Sequence, residues 1–239
     1  MRLPWLLRAG SLPPIASPAM TEPLDDPANY KAALSRLMWE DHGILRRAWH
    51  NHRHVGGQMW RGNQPDPDRI AWLAEQGFRT ILNLRGVQPG RSYYDLEHWA
   101  AKKHGLTVID LGWGSREAPF VERIEKLIEV FGSIEYPAFM HCKSGSDRAG
   151  IVAVLYLILH EGRPVEEALQ HLSLKYGHVK QGKTGMLDHF FQLYLDRNAS
   201  EPIDFLTWVR TEYDRQACHD SFMASWWGSL LTERILRRE

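Results

Sequence analysis

The chain has 239 residues, of which 44% are hydrophobic, and its 29 basic residues balance 29 acidic ones. That length and composition suit one globular α/β domain with added helices. The charge balance gives no global reason to expect nucleic acid or an anionic membrane as a partner, so any anion site must be local.

The opening MRLPWLLRAGSLPPIASPAM begins like a secretory signal, but Arg8, Pro13 and Pro14 break its apolar run below the ~7 to 15 residues such a signal needs. Residues 1–27 are therefore expected to be a disordered leader, with Met20 as an alternative start, and 28–239 a single domain with a C-terminal helical extension. Nothing approaches ~18 consecutive apolar residues, so no integral membrane segment is expected. Pro27 to about Trp49 reads as polar helix, and GQMWRGN at 57–63 as a strand. Within DPDRIAWLAEQG, Asp66 is a helix N-cap, Pro67 the first helical residue and Gly77 the stop.

FRTILNLRG (78–86) predicts a buried strand, residues 92–104 a helix, and LTVIDLGW (106–113) another strand. After Pro119, Phe120, Ile124, Leu127, Ile128 and Phe131 recur at helical spacing. PAFMHC (137–142) is the next strand, and AGIVAVLYLILHEG is a helix apolar all round, hence central. This alternation implies a central, mostly parallel sheet flanked by helices. Val165, Ala168, Leu169 and Leu172 form one later apolar stripe, and Leu187, Phe190, Phe191 and Tyr194 another. ASWWGSLLTERILRRE predicts an amphipathic end helix with Trp227, Leu230 and Leu231 on one side, docked on its own domain, a partner or lipid headgroups.

FMHCKSGSDRAGIV (139–152) carries the chemistry. It lies where a central strand hands over to a buried helix, the usual ligand position of an open α/β sheet. The helix N-terminus offers free N–H groups and partial positive charge. Gly145, with Ser144 and Ser146, lets the loop curl so that successive N–H groups form an anion nest, and Arg148 adds a planar fork for two oxygens of a phosphate. A thiol at the base of such a nest ionises readily. Cys142 would attack phosphorus in line and form a phosphocysteine for water to hydrolyse. One group would protonate the leaving oxygen and then serve as base. The nest and Arg148 balance the phosphoryl charge, so no metal or other cofactor is called for. Taken alone, Cys142 would read as a small buried apolar residue; the neighbouring Gly145 and Arg148 oppose that.

HCKSGSDR matches the His-Cys-five-residues-Arg loop of the protein tyrosine phosphatase superfamily, and the chain resembles its dual-specificity branch. GQMWRGNQP, TILNLRG, REAPF and GMLDHFFQLY are similar to stretches of the compact atypical dual-specificity phosphatases of plants, fungi and bacteria, covering roughly residues 54–195. The resemblance implies a phosphotyrosine-phosphatase-like fold with extra N- and C-terminal helices. It also implies Cys142 as nucleophile, Arg148 as phosphate clamp, His141 as the residue ordering the loop, and Lys143, Ser144, Gly145, Ser146 and Asp147 as the N–H cradle.

Two departures from the family pattern bear on catalysis. Where the superfamily commonly has Ser or Thr after the loop arginine, this chain has Ala149, which implies slow turnover unless Ser144 or Ser146 takes that part. The general acid of many relatives is an Asp some thirty residues before the Cys; Asp110 lies 32 residues upstream but inside a predicted strand, and GWGSREAPF offers only Glu117. Asp147 resembles the acid of myotubularin-type and some bacterial enzymes and is preferred, ahead of Asp110 and Glu117; a helix N-cap is its rival role.

Cys142 and Cys218 are too few for a disulfide framework, which favours a reducing cytoplasm over a bridge between them. His50, His52 and His54 alternate in HNHRH as metal ligands in a strand would, but the absence of Cys or carboxylate at ligand spacing favours a solvated turn. His160, His171, His178 and His189 read as ordinary helix and loop residues, and Lys180 and Lys183 as a solvated loop or contacts for a second phosphate. The expected partner is a phosphorylated protein or small phosphorylated metabolite, with phosphotyrosine or dual specificity preferred. The alternatives are a phosphate-binding pseudophosphatase, an inositol phosphate or pyrophosphate phosphatase, and a different thiol enzyme such as a sulfurtransferase or arsenate reductase.

Overall fold

The computed structural model describes residues 23–236. Helices α1 (Pro27–Trp39) and α2 (Gly43–Ala48) precede a hairpin of β1 (Arg53–Gly56) and β2 (Met59–Gly62). There follow α3 (Pro67–Glu75), β3 (Thr80–Asn83), α4 (Ser92–Lys103), β4 (Thr107–Asp110), α5 (Val121–Ser133), β5 (Ala138–His141) and α6 (Asp147–Leu159). The short α7 (Val165–Ala168), then α8 (Met186–Ser200), α9 (Phe205–Thr211) and α10 (Arg215–Leu236) complete the described chain.

The strands form one sheet in the order β1-β2-β5-β3-β4, antiparallel only between β1 and β2. The parallel register brings Gly62, His141, Asn83 and Asp110 abreast at the carboxyl edge. Alternation along each strand then sorts the core. Phe139 and Ile81 face α3 and α4 with Ile70, Leu73 and Ala100. Met140 and Leu82 face the opposite side, with α5, α6 and α8. Residues Ala149 to Leu157 of α6 are all buried, as an all-round apolar helix requires. The predicted stripe on α8 is buried with Phe205 and Trp208 of α9.

Several expectations are revised. Order begins before residue 28: Leu24 is buried with α1 and α4, Trp99 Nε1 donates to Asp25, and Asp26 caps α1. Residues 1–22 lie outside the described residues, and so do the side chains of Trp227, Leu230 and Leu231. The HNHRH stretch is not a solvated turn. Its second half enters β1, and the His52 ring stacks on Phe139 at 5.5 Å beside Trp60 and Trp72. Burial there pushes His52 down to about 4. Among the described residues, no group of three His, Cys, Asp or Glu side chains is placed to hold a metal ion. Both cysteines are free and buried.

Candidate active site

Cys142 follows the last residue of β5, the sheet's central strand, and is 2% exposed; four residues separate it from the start of α6. Each intervening carbonyl is held from outside the loop. The Lys143 carbonyl accepts from Gln64 N at 3.3 Å, and Ser144's from Asn51 Nδ2 at 3.2 Å. Arg61 reaches the carbonyls of Gly145 and Ser146 at 2.6 and 2.8 Å. In a trans peptide the N–H points opposite to the C=O. With these four carbonyls held, the N–H groups of Ser144, Gly145, Ser146 and Asp147 point the opposite way, away from the groups that hold the carbonyls.

Gly145 closes the curve with φ +75, and a Cβ there would lie 2.6 Å from the Gly62 carbonyl. Both the backbone conformation and the close approach to β2 require glycine. Arg61 is wholly buried, and its remaining amino group donates to His171 O at 2.8 Å. Burial pulls its guanidinium down to about 10, against the opposing influence of Cys142, Tyr176 and Asp147. It is thus a cation in electrostatic reach of the thiol.

His141 is buried, and its Nε2 bonds Glu97 Oε1 at 2.5 Å. Glu97 also accepts from Gln64 Nε2 at 2.9 Å, and Gln64 Oε1 accepts from Arg85 at 3.0 Å. Arg85 forks onto Asp41, which also pairs with Arg46 at 2.9 Å and with Lys143 at 3.4 Å. One polar chain thus ties the residue before Cys142 to the residue after it.

The three acid candidates have different surroundings. Asp110, the last residue of β4, accepts from Asn83 and Tyr94 at 2.7 Å and pairs with His98 at 3.3 Å. Burial would raise its carboxyl, but these partners outweigh burial and hold it below the usual range. Glu117 pairs with Arg123 at 2.5 Å and Arg215 at 3.5 Å. Asp147 is the first residue of α6, and its Oδ1 meets His178 Nδ1 at 2.7 Å. Arg148 has no hydrogen bond or ion pair to another described residue, so its fork is available. Ala149 is wholly buried and brings no hydroxyl, while Ser146 Oγ lies against Gly177, 2.8 Å from where a Cβ would stand there.

Sequence reasoning missed Arg61, Asn51, Gln64, Glu97 and His178. An arginine inside the apolar strand MWRG was the one local signal, since a buried guanidinium needs partners.

Fold and loop together are those of the dual-specificity phosphatase type. The family model described as DSP-PTPase phosphatase fused to NAD+ kinase matches residues 47–187, more than half of the chain, and the chain belongs to that family. Among curated proteins, NAD kinase 2, chloroplastic, of Arabidopsis thaliana is 32% identical over 89 residues, 36% of this chain and 9% of that protein. A beta-lactamase hydrolase-like protein of Xylella fastidiosa is 29% identical over 119 residues, 48% of this chain and 26% of that protein. The match thus spans only a minor part of these relatives' length. Among solved structures, Tk-PTP in its active form has a TM-score of 0.48 at 23% identity, covering 60% of this chain and 98% of that one. The core catalytic domain of the PP-IP phosphatase SIW14 from S. cerevisiae also scores 0.48, at 17% identity, covering 63% and 91%. No helix among the described residues is long and apolar enough to cross a membrane.

Proposed function

We propose that the chain is a cysteine-dependent phosphatase that hydrolyses phosphomonoesters through a phosphocysteine intermediate. The observation that carries this reading is the set of four loop carbonyls held from outside the loop, which leaves the loop N–H donors free to receive an anion beside buried Cys142. The Cys142 sulfur attacks phosphorus as the bond to the leaving oxygen breaks. Arg148 and the loop N–H groups hold the equatorial oxygens, where charge concentrates in the transition state. Asp147 gives its proton to the leaving oxygen, then takes one from the water that displaces the sulfur. Asp110 and Glu117 serve structure, because their oxygens already have strong donors.

The preferred substrate is a protein phosphomonoester, phosphotyrosine or dual specificity. Lys143, Arg85 and Arg46 converge on Asp41, and Asp147 adds negative charge at the loop, so the one unpaired loop cation, Arg148, suits a single phosphate better than a polyphosphate. A small phosphorylated metabolite is the alternative, given the NAD kinase names of the plant relatives. A reading as a phosphate-binding module without turnover is favoured by one observation, buried Ala149 in place of a hydroxyl. Free cysteines suit a reducing compartment such as the cytoplasm. The test is phosphate release from an aryl phosphate with a metal chelator present. Wild type is expected to turn over and Cys142→Ser to be inactive; hydrolysis that survives Cys142→Ser rules the mechanism out. Binding of vanadate without hydrolysis would instead select the binding module.

A further inference from the structure

His178 lies beyond the stretches that the catalytic reading uses, yet both of its ring nitrogens meet carboxylates. Nδ1 is 2.7 Å from Asp147 Oδ1 at the start of α6, and Nε2 is 2.7 Å from Asp188 Oδ2 in the first turn of α8. Its side chain is 1% exposed, whereas those of Asp147 and Asp188 are 25% and 29% exposed. A buried imidazole is thus clamped between two partly solvated carboxyl groups. Burial alone would lower its affinity for protons, but the two carboxylates outweigh that and raise it to about 9. Both N–H groups then donate, one to each acid.

The turn that presents His178 is itself fastened to the phosphate loop. His178 N donates to Ser173 O at 3.1 Å, and Gly177 takes φ +80, packed so closely that a Cβ would meet Ser146 Oγ at 2.8 Å. Asn51 Nδ2 bridges the carbonyls of Ser144 and Tyr176 at 3.2 and 2.9 Å. Turn and loop therefore have little freedom to move apart. Only Oδ1 of Asp147 is engaged, which leaves Oδ2 as the oxygen able to exchange a proton with substrate.

We infer that His178 is a positioning residue for the general acid: anchored by Asp188, it holds Asp147 Oδ1 so that Oδ2 faces the leaving-group oxygen above Cys142. The inference rests on the proposed role of Asp147 as acid. A misplacement of about 1 Å can cost about 10²-fold in rate, so the orientation of this carboxylate is worth a dedicated partner.

Leaving-group dependence separates the two levels. Phenyl phosphate needs a proton on its departing oxygen, whereas a nitrophenyl phosphate leaves readily without one. On phenyl phosphate, His178→Ala is expected to lose roughly 10²-fold in kcat with little change in KM, and on nitrophenyl phosphate only a few-fold. His178→Asn, whose amide can replace the Nδ1 donor, should recover part of the loss. Asp188→Asn should show a milder form of the same pattern and keeps the test alive if His178→Ala does not fold. Asp147→Asn is the reference. If it is leaving-group dependent while the His178 and Asp188 variants are not, the positioning role is overturned and the acid assignment stands. If Asp147→Asn itself shows no dependence, the acid lies elsewhere and the inference falls with it.

Discussion

Arg61→Met isolates what holds the phosphate loop in shape. The substitution keeps an unbranched side chain in a site of zero exposure but removes the donors to Gly145 O, Ser146 O and His171 O. Ser146 O still accepts from Gly150 N at 2.8 Å, so two buried carbonyls are orphaned. At about 1 to 3 kcal/mol each, that destabilises the fold by roughly 2 to 6 kcal/mol. Opposing it, an ion whose Nε has no partner no longer has to be desolvated, an offset of several kcal/mol. The net change in stability is therefore small, roughly 0 to 4 kcal/mol. Function should suffer more, because a freed Gly145 carbonyl can turn toward the anion and withdraw the Ser146 N–H. Inhibition by vanadate or tungstate should weaken by about 10²-fold, equivalent to about 2.7 kcal/mol. The assay pairs oxyanion inhibition with denaturant unfolding of wild type and variant. A folded Arg61→Met with oxyanion affinity within about threefold of wild type would refute the claim that Arg61 shapes the nest.

Gly145→Ala meets both a left-handed backbone and the Gly62 backbone, and should destabilise by roughly 2 to 5 kcal/mol, read as a fall in thermal midpoint of about 2 to 4 °C per kcal/mol. Stability should also depend on pH from both sides. The contribution of His178, with a folded value of about 9 above its ordinary 6.5, is fully present below pH 6.5 and disappears as pH rises through 9. That amounts to about 3 kcal/mol, absent in His178→Ala, and urea titrations at several pH values would read it. On the acid side, His52 and His171, both lowered to about 4 chiefly by burial, contribute stability above pH 6.5 that is lost as pH falls toward 4. Finally, a missing hydroxyl at Ala149 should make hydrolysis of the intermediate the slow step, so rapid-mixing experiments should show a burst of aryl alcohol. Ala149→Ser should raise steady-state turnover, and a faster burst with unchanged turnover would place the limitation elsewhere.

What the sequence made legible was local. The apolar runs of β3, β5 and α6, the Asp66-Pro67 start of α3 and the Cys-to-Arg spacing are written within a dozen residues each, and the structure has these elements. Strand ends were overrun because apolar residues continue into turns: Leu84 is buried beyond β3, where Asn83 Oδ1 already caps Arg85 N. The β1–β2 hairpin was missed although Gly57 lies in its turn, since β1 is only the four residues Arg53–Gly56 and carries a single large apolar side chain, Val55. The supports of the loop could not be read, because each joins distant positions: Arg61 to Gly145 across 84 residues, Asn51 to Ser144 across 93, Glu97 to His141 across 44, His178 to Asp147 across 31. A motif names the groups that face the substrate; the groups that face the motif emerge only from the fold.

The central claim is that Cys142 becomes covalently phosphorylated in turnover. Acid quenching of enzyme mixed with an aryl phosphate, followed by proteolysis and mass analysis, addresses it directly. A single phosphoryl group on the peptide containing Cys142, formed within the burst, absent in Cys142→Ser and discharged on further incubation, is the expected result. Turnover with that peptide unmodified at every quench time, or a phosphoryl group on another residue, would contradict the mechanism.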